Sequence, residues 1–409
     1  MPPIHPIFTL MLSVVLSIPK TSNNRSRLLF SVLSNEIQRS FYRRGEVSQK
    51  LYKPVKFALI GCGEVARSYA TTISRHPDMT LSAVVDENPE AVQAFGRSFS
   101  CNYYTSLQDY LSGNYFADCG IICTSESDHA EIAEQLMRLG IDILCATPFA
   151  PDSASPEKMI DISRAFGVRL MMGSRFRYIA DIIYARKLIQ SGILGRVLVF
   201  EIDFRRMADI GRDGDSRKDR SNRGILMDSG SHAIDITQHF FGPLLRIRVE
   251  ETRRLRSRVV KNTVRIDMRT VSGVIGTAQL SWKKKNPCDD YIRIYGTGGT
   301  LCIGWKSSKY RLNDSVDWIK FGEGYSTPKA LNRQMGNYLN AFILNGIPET
   351  AAEDGPESVR AMEAAYRSLS TGNWINLQAT PPELGIPRLK RDFTVLRPGK
   401  LLTTNTQPE

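Results

Sequence analysis

Six residues, Gly61-Cys62-Gly63-Glu64-Val65-Ala66, constrain this chain more than any other feature. An apolar run, Val55-Lys56-Phe57-Ala58-Leu59-Ile60, leads into them, and a helix-forming stretch follows. A glycine at the first position permits a tight turn, and the second lets backbone approach a pyrophosphate. The small Ala66 lets the helix pack against the strand, and the helix start offers free N–H groups and the positive end of its dipole. The next apolar run, Leu81-Ser82-Ala83-Val84-Val85, ends in Asp86, about twenty residues on, where a ribose-binding carboxylate belongs. This pattern predicts a dinucleotide site built from Gly61, Cys62, Gly63, Glu64, Val65 and Asp86. Asp86 favours NAD over NADP, because a carboxylate accepts from both ribose hydroxyls and repels a 2′-phosphate. Its neighbours Glu87 and Asn88 supply no arginine to reverse that.

From Lys53 onward strand-like and helix-like segments alternate. Strands are expected at 55–60, 80–86, 118–123, 141–146 and 168–172, and helices at 64–76, 88–100, 128–140 and 155–166. Most of these strands are nearly continuous apolar runs, as a parallel sheet covered on both faces requires. The expectation is an α/β, doubly wound Rossmann domain over residues 54–173. Beyond about residue 174 the texture changes. One helix (179–193) is followed by alternating strands at 196–204, 245–252, 262–270, 274–282, 290–295 and 300–304, and a last helix falls near 355–370. Alternation predicts a large, mostly antiparallel open sheet in an α+β domain spanning 174–384. The glycine-rich run Tyr295-Gly296-Thr297-Gly298-Gly299-Thr300 has no helix behind it and is expected to be a hairpin turn. The uncovered face of such a sheet predicts a homo-oligomer, a dimer or a tetramer.

The net charge of +12 is concentrated at the ends: residues 1–53 carry +6 and residues 385–409 carry +3. A near-neutral body between basic tails argues against a nucleic-acid footprint. Residues 1–53 are expected to form a poorly ordered extension, and 385–409 a basic tail. The apolar run from Ile7 to Ile18 is too short to span a bilayer and has no basic residue before it, so no membrane partner is expected. The seven cysteines are an odd count, and Cys119, Cys123, Cys145 and Cys302 sit inside apolar runs, which fits reduced thiols and a cytoplasmic protein. The basic, acid-poor first fifty residues leave an organelle-targeted alternative open.

A second constellation lies at Asp228-Ser229-Gly230-Ser231-His232-Ala233-Ile234-Asp235. On a helix, positions i, i+4 and i+7 share a face, so Asp228, His232 and Asp235 are expected to project together. An imidazole tuned by carboxylates moves protons near neutral pH. A metal site is disfavoured, since no further His or Cys falls at ligand spacing.

In order along the chain, several segments resemble the Gfo/Idh/MocA oxidoreductase family, the group that includes glucose-fructose oxidoreductase and inositol dehydrogenase. These are the Gly61–Ala66 turn, Asp86, Cys123-Thr124-Ser125 with His129, Arg175-Phe176, and Ser191-Gly192-Ile193-Leu194-Gly195. Gly224 to Asp235 with Phe241-Gly242-Pro243, and the late Tyr295–Gly299 hairpin, complete the set. The resemblance covers roughly residues 54–380, most of the chain. The resemblance implies NAD(P)-dependent hydride transfer at a secondary alcohol or ketone of a sugar, cyclitol or sugar derivative. It implies His232 as proton carrier and Asp228 as the group orienting substrate and imidazole. Thr124, Ser125, His129 and Pro148 would line the nicotinamide half of the site, and Arg175 and Asp235 would bind substrate.

One position departs from that family. Its fifth strand normally ends in Glu-Lys-Pro, with the lysine reaching the reacting hydroxyl; here the run is Cys145-Ala146-Thr147-Pro148. Thr147 takes the catalytic position without a charge, and losing one preorganised electrostatic donor typically costs on the order of a hundred- to a thousandfold in rate. Three readings stay open: His232 suffices, a lysine or arginine from elsewhere replaces the charge, or the protein binds NAD and sugar without turnover as a regulatory or partner protein. The loop 205–223, with Arg205, Arg206, Arg212, Arg217, Lys218, Arg220 and Arg223, bears on the second and would suit an anionic substrate.

Overall fold

The computed structural model describes residues 53–113, 116–205, 224–251, 263–281, 289–344 and 346–377. Most of the basic loop, the run Lys283–Lys285, nearly all of the N-terminal extension and the basic C-terminal tail lie outside the described residues.

A six-stranded, wholly parallel sheet forms first. Its strands are β1 (Val55–Ile60), β2 (Met79–Val85), β3 (Asn102–Tyr104), β4 (Cys119–Ile122), β5 (Asp142–Cys145) and β6 (Leu170–Met172), in the order β3-β2-β1-β4-β5-β6. Helices α1 (Glu64–Ser74), α2 (Pro89–Phe99), α3 (Leu107–Leu111), α4 (His129–Met137) and α5 (Ser155–Phe166) connect them. Every residue of β4, β5 and β6 is buried, the signature of strands covered on both faces. The start of α2 is set locally: the Asn88 side chain accepts from the N–H groups of Glu90 and Ala91, and Pro89 occupies the first turn. The chain order reverses between β1 and β4, which opens a crevice at the carboxyl ends of these two strands.

The second sheet has nine strands: β7 (Val197–Phe204), β8 (Leu244–Glu251), β9 (Thr263–Thr270), β10 (Ile275–Ser281), β11 (Asp290–Gly296), β12 (Gly299–Gly304), β13 (Ser308–Leu312), β14 (Ile319–Phe321) and β15 (Ile375–Asn376). Their order is β14-β13-β12-β11-β7-β10-β9-β8-β15. All pairings are antiparallel except β7 with β10, which run parallel because a helix and two strands intervene between them in the chain. The Tyr295–Thr300 run is the hairpin joining β11 to β12, as expected. Helices α6 (Ala180–Gln190), α7 (Ser231–Phe241), α8 (Thr327–Ile343) and α9 (Gly355–Thr371) complete this part, with α7 packed on α9 and α9 on β8.

The sequence pattern missed β3, α3, α8 and the short strands β13 to β15. α8 matters most to the site. Its buried side includes Ala330, Leu331, Gln334, Met335, Tyr338 and Leu339, so a glutamine and small residues interrupt the apolar stripe. It crosses back onto the first sheet: Tyr338 meets Phe57 of β1 edge to face at 5.8 Å, and the Tyr69 hydroxyl on α1 donates to Gln334 Oε1 at 2.8 Å. The two sheets therefore share one packed seam, and the crevice opens beside it.

Candidate active site

At the crevice, the Gly61 turn has the backbone its sequence demands. Gly61 has φ of +96°, and a Cβ there would lie 2.9 Å from the Cys123 carbonyl oxygen, so no side chain fits. A Cβ on Gly63 would instead meet nothing within 4 Å, which leaves open space at the head of α1. α1 begins without a side-chain cap, so its first-turn N–H groups are available to an anion. The Cys62 N–H donates to Asp86 Oδ2 at 2.7 Å and the Asn88 N–H to Oδ1 at 2.9 Å, fixing the carboxylate at the end of β2. Burial, then Asp86 and Cys101, push the Cys62 thiol up to about 12, so it stays protonated beside this turn. An uncapped helix start, an open cradle at Gly63 and a held carboxylate fit the pyrophosphate and ribose of a dinucleotide. Glu64 opens the first turn of α1 and Val65 reaches the neighbouring cavity.

That cavity, of about 170 Å³, lies between the strand ends of the first sheet and the start of α7. Thr147, Pro148, Arg175, Asp228 and His232 all line it, joined by Tyr69 and Glu126. Five residues selected from the sequence thus converge from three separate segments: the loop after β5, the 3-10 turn Arg175–Tyr178, and the helix around His232. The Thr147–Pro148 peptide is cis. His232 is 8% exposed, and its ring lies 4.8 Å from that of Phe176, centroid to centroid. Burial, and secondarily the Arg175 guanidinium, lower the His232 pKa to about 3, so the imidazole is neutral at physiological pH. A neutral imidazole keeps one ring nitrogen unprotonated, so it can accept a hydrogen bond from a hydroxyl in the cavity.

Asp228, His232 and Asp235, expected to project together, do not all line one cavity. Residues Leu226–Gly230 form a π-type turn before α7 begins, and the wider turn displaces Asp228 from the α-helical register. Asp228 lines the larger cavity, whereas Asp235 lines a second one of about 60 Å³, lined also by Phe149, Met362 and Tyr366; His232 touches both. Asp235 is also already engaged. Arg177 donates to it from Nε at 3.1 and 3.2 Å and from Nη2 at 2.5 Å, and bonds Asp354 through Nη1. Burial pulls the Arg177 guanidinium down, but Asp235 and Asp354 outweigh it and hold its pKa above the ordinary value. Sequence reasoning passed over Arg177; the available signal was its basic side chain two residues beyond Arg175, in a segment too short to show periodicity.

His129 is 1% exposed, with Nδ1 3.2 Å from the Phe149 carbonyl and Nε2 3.2 Å from the Thr124 carbonyl. It braces the loops after β4 and β5, and burial lowers its pKa. Thr124, Ser125 and His129 do not line the larger cavity, while Glu126, unmarked in the sequence, does. Arg205, the one basic-loop residue among those described, bonds Asp203. Six of the seven cysteines are described, and all six are free thiols. Among the described residues no cluster of three or more His, Cys, Asp or Glu is arranged to hold a metal ion, and no helix is long and apolar enough to cross a membrane.

A doubly wound parallel sheet and a mixed, mostly antiparallel open sheet define an α/β fold, with the buried His232 beside their seam. Residues 55–174 match the oxidoreductase family with NAD-binding Rossmann fold, and residues 182–302 match the GFO/IDH/MocA C-terminal domain. The chain belongs to the Gfo/Idh/MocA family of oxidoreductases. It is 25% identical over 350 residues to D-apiose dehydrogenase of Paraburkholderia graminis, covering 81% of this chain and 92% of that protein. It is 24% identical over 340 residues to inositol 2-dehydrogenase of Rhizobium meliloti, covering 79% and 99%. Levoglucosan dehydrogenase, solved with NADH and levoglucosan, superposes with a TM-score of 0.70 at 17% identity, over 80% of this chain and all (100%) of that one.

Proposed function

We propose that the chain is an NAD-dependent oxidoreductase acting on a secondary alcohol or ketone of a sugar, cyclitol or sugar derivative. The observation that carries this reading is His232: a neutral, buried imidazole on the wall of the cavity that Asp228, Thr147 and Pro148 also line, next to the Gly61–Asp86 crevice. NAD bound in that crevice supplies the hydride acceptor, and the relatives that are sugar and cyclitol dehydrogenases support the substrate class.

In this reading the turn at Gly61 to Val65 holds the pyrophosphate, and Asp86 accepts from the ribose. His232 takes the hydroxyl proton at an imidazole nitrogen during oxidation and returns it during reduction. Asp228, on the same wall, accepts a substrate hydroxyl and orients it toward that nitrogen. Asp235 acts through Arg177: their ion pair fixes the helix that carries His232, so Asp235 is a positioning residue. Thr124 and Ser125 border the cofactor crevice as backbone, and His129 sets that backbone from behind.

Stopped-flow absorbance of the purified protein, mixed with NAD or NADH and a panel of sugars, sugar acids and cyclitols, tests the assignment. Hydride transfer with at least one of them is the expected result. NAD binding with no transfer to any would instead support a second reading, a non-catalytic NAD- and sugar-binding partner protein. Thr147 motivates that alternative, because it is uncharged and stands where the family lysine would be. A large gain of activity in Thr147→Lys would identify a degenerate site. A homo-oligomer belongs to the same proposal: Val199 and Ile275, paired across β7 and β10, are 41% and 50% exposed. Light scattering on a size-exclusion column measures it.

A further inference from the structure

Arg175 is the one cation among the described residues that line the larger cavity. Its Nε is buried and has no hydrogen-bond partner, and no ion pair engages its guanidinium among the described residues. Among the described residues its one ring contact is with Phe176, whose centroid lies 5.9 Å from the guanidinium carbon. Two residues away, Arg177 shows what the same edge does when satisfied: Nε and Nη2 together grip both oxygens of Asp235. A buried N–H left unpaired costs free energy, and a guanidinium edge matches a planar carboxylate with two parallel hydrogen bonds.

Resting on the oxidoreductase reading above, we infer that the substrate carries a carboxylate and that Arg175 binds it: the substrate class is a uronate or a related sugar acid. Two carboxylates, Glu126 and Asp228, share the cavity wall with this single guanidinium. A singly charged, planar carboxylate matches one guanidinium fork, whereas a phosphate dianion brings twice the charge to the same single cation. Arg175 also accounts for the missing lysine in terms of charge. The cavity keeps a cation beside His232, but one committed to an anionic group, not to donating a proton, since a guanidinium does not give one up. Specificity then comes from the acid group, while Asp228 and His232 handle the reacting hydroxyl.

The test is calorimetric titration of the full chain, saturated with NADH, with D-glucuronate and D-galacturonate, each against its neutral parent sugar, and with D-glucose 6-phosphate. The wild type binds at least one uronate about tenfold or more tightly than its parent sugar, the size of a charge-assisted bidentate contact. Arg175→Gln abolishes that preference by weakening the uronate far more than the neutral sugar, with NADH affinity in place, and Arg175→Lys, which keeps the charge but not the fork, retains only part of it. Equal binding of acids and neutral sugars by the wild type, or equal weakening of both in Arg175→Gln, overturns the inference. A preference for the phosphate over both uronates overturns the carboxylate assignment. If the wild type takes up no NADH, the oxidoreductase reading itself fails and the inference falls with it; if NADH binds and only neutral sugars are favoured, the inference alone fails.

Discussion

Replacing Asp235 with asparagine separates a substrate ligand from a positioning residue. The side chains of Arg177 and Asp235 are 7% and 6% exposed, while the other partner, Asp354, is 48% exposed. The substitution keeps the shape and removes the buried charge that faces the guanidinium. Breaking a buried ion pair by neutralising one member costs about 3–5 kcal/mol, because the remaining charge is stranded in low dielectric. The half-exposed Asp354 recovers only the roughly 0–1 kcal/mol of a surface pair, so a loss of about 3 kcal/mol is expected. Urea unfolding monitored by tryptophan fluorescence at pH 7.5 measures it. A cycle with Arg177→Met and the double variant Arg177→Met/Asp235→Leu sharpens the test, since removing both charges should cost less than stranding either one. NAD affinity should not change, because Asp235 lies outside the crevice. Asp235→Asn stability within about 0.5 kcal/mol of the wild type, together with a selective rise in KM for the sugar, would refute the positioning role and restore Asp235 as a substrate ligand.

His232→Ala should abolish hydride transfer and leave NAD affinity within about twofold, as expected for a group that makes no ground-state cofactor contact; surviving turnover would remove His232 as the proton carrier. Acid should destabilise the protein through the same residue. With a folded pKa of about 3 and an unfolded value near 6.5, the unfolded chain takes up a proton that the native state refuses. The full stability is present above about pH 6.5 and falls by about 1.4 kcal/mol per pH unit as the pH drops toward 3. Urea midpoints from pH 7.5 to 4.5 should show this slope reduced in His232→Gln. Gly61→Ala should eliminate NAD binding by calorimetry and lower stability by about 2 kcal/mol or more, since the residue has φ of +96° and its new methyl group would meet the Cys123 carbonyl. Asp86→Ala should weaken NAD about tenfold or more and narrow the preference over NADP, because the carboxylate that accepts from the ribose and repels a 2′-phosphate is gone.

Local chemistry made a large part of this protein legible from its residues alone. The Gly61 turn announced itself because φ > 0 and close backbone approach admit only glycine. β1, β2, β4 and β5 were visible because strands covered on both faces must be apolar along their length. Asp86 stood out at the end of an apolar run, Asp228 and His232 through their helical spacing, and Arg175 only through its place in the family's motif order. Short or interrupted elements did not announce themselves: three exposed or half-exposed residues make β3, and the buried Gln334 breaks the stripe of α8. Which polar residues come together was decided by packing across long sequence separations. Asp228, in a π-type turn, and Asp235, on the helix after it, line different cavities, and helical spacing gave no sign of it. Arg177 claimed Asp235 from 58 residues away, and Arg175 arrived beside His232 with its Nε unpaired. A sequence determines which groups a chain possesses and which local conformations it favours; which charge faces which, and which is left without a partner, depends on distances that exist only once the two sheets share a seam.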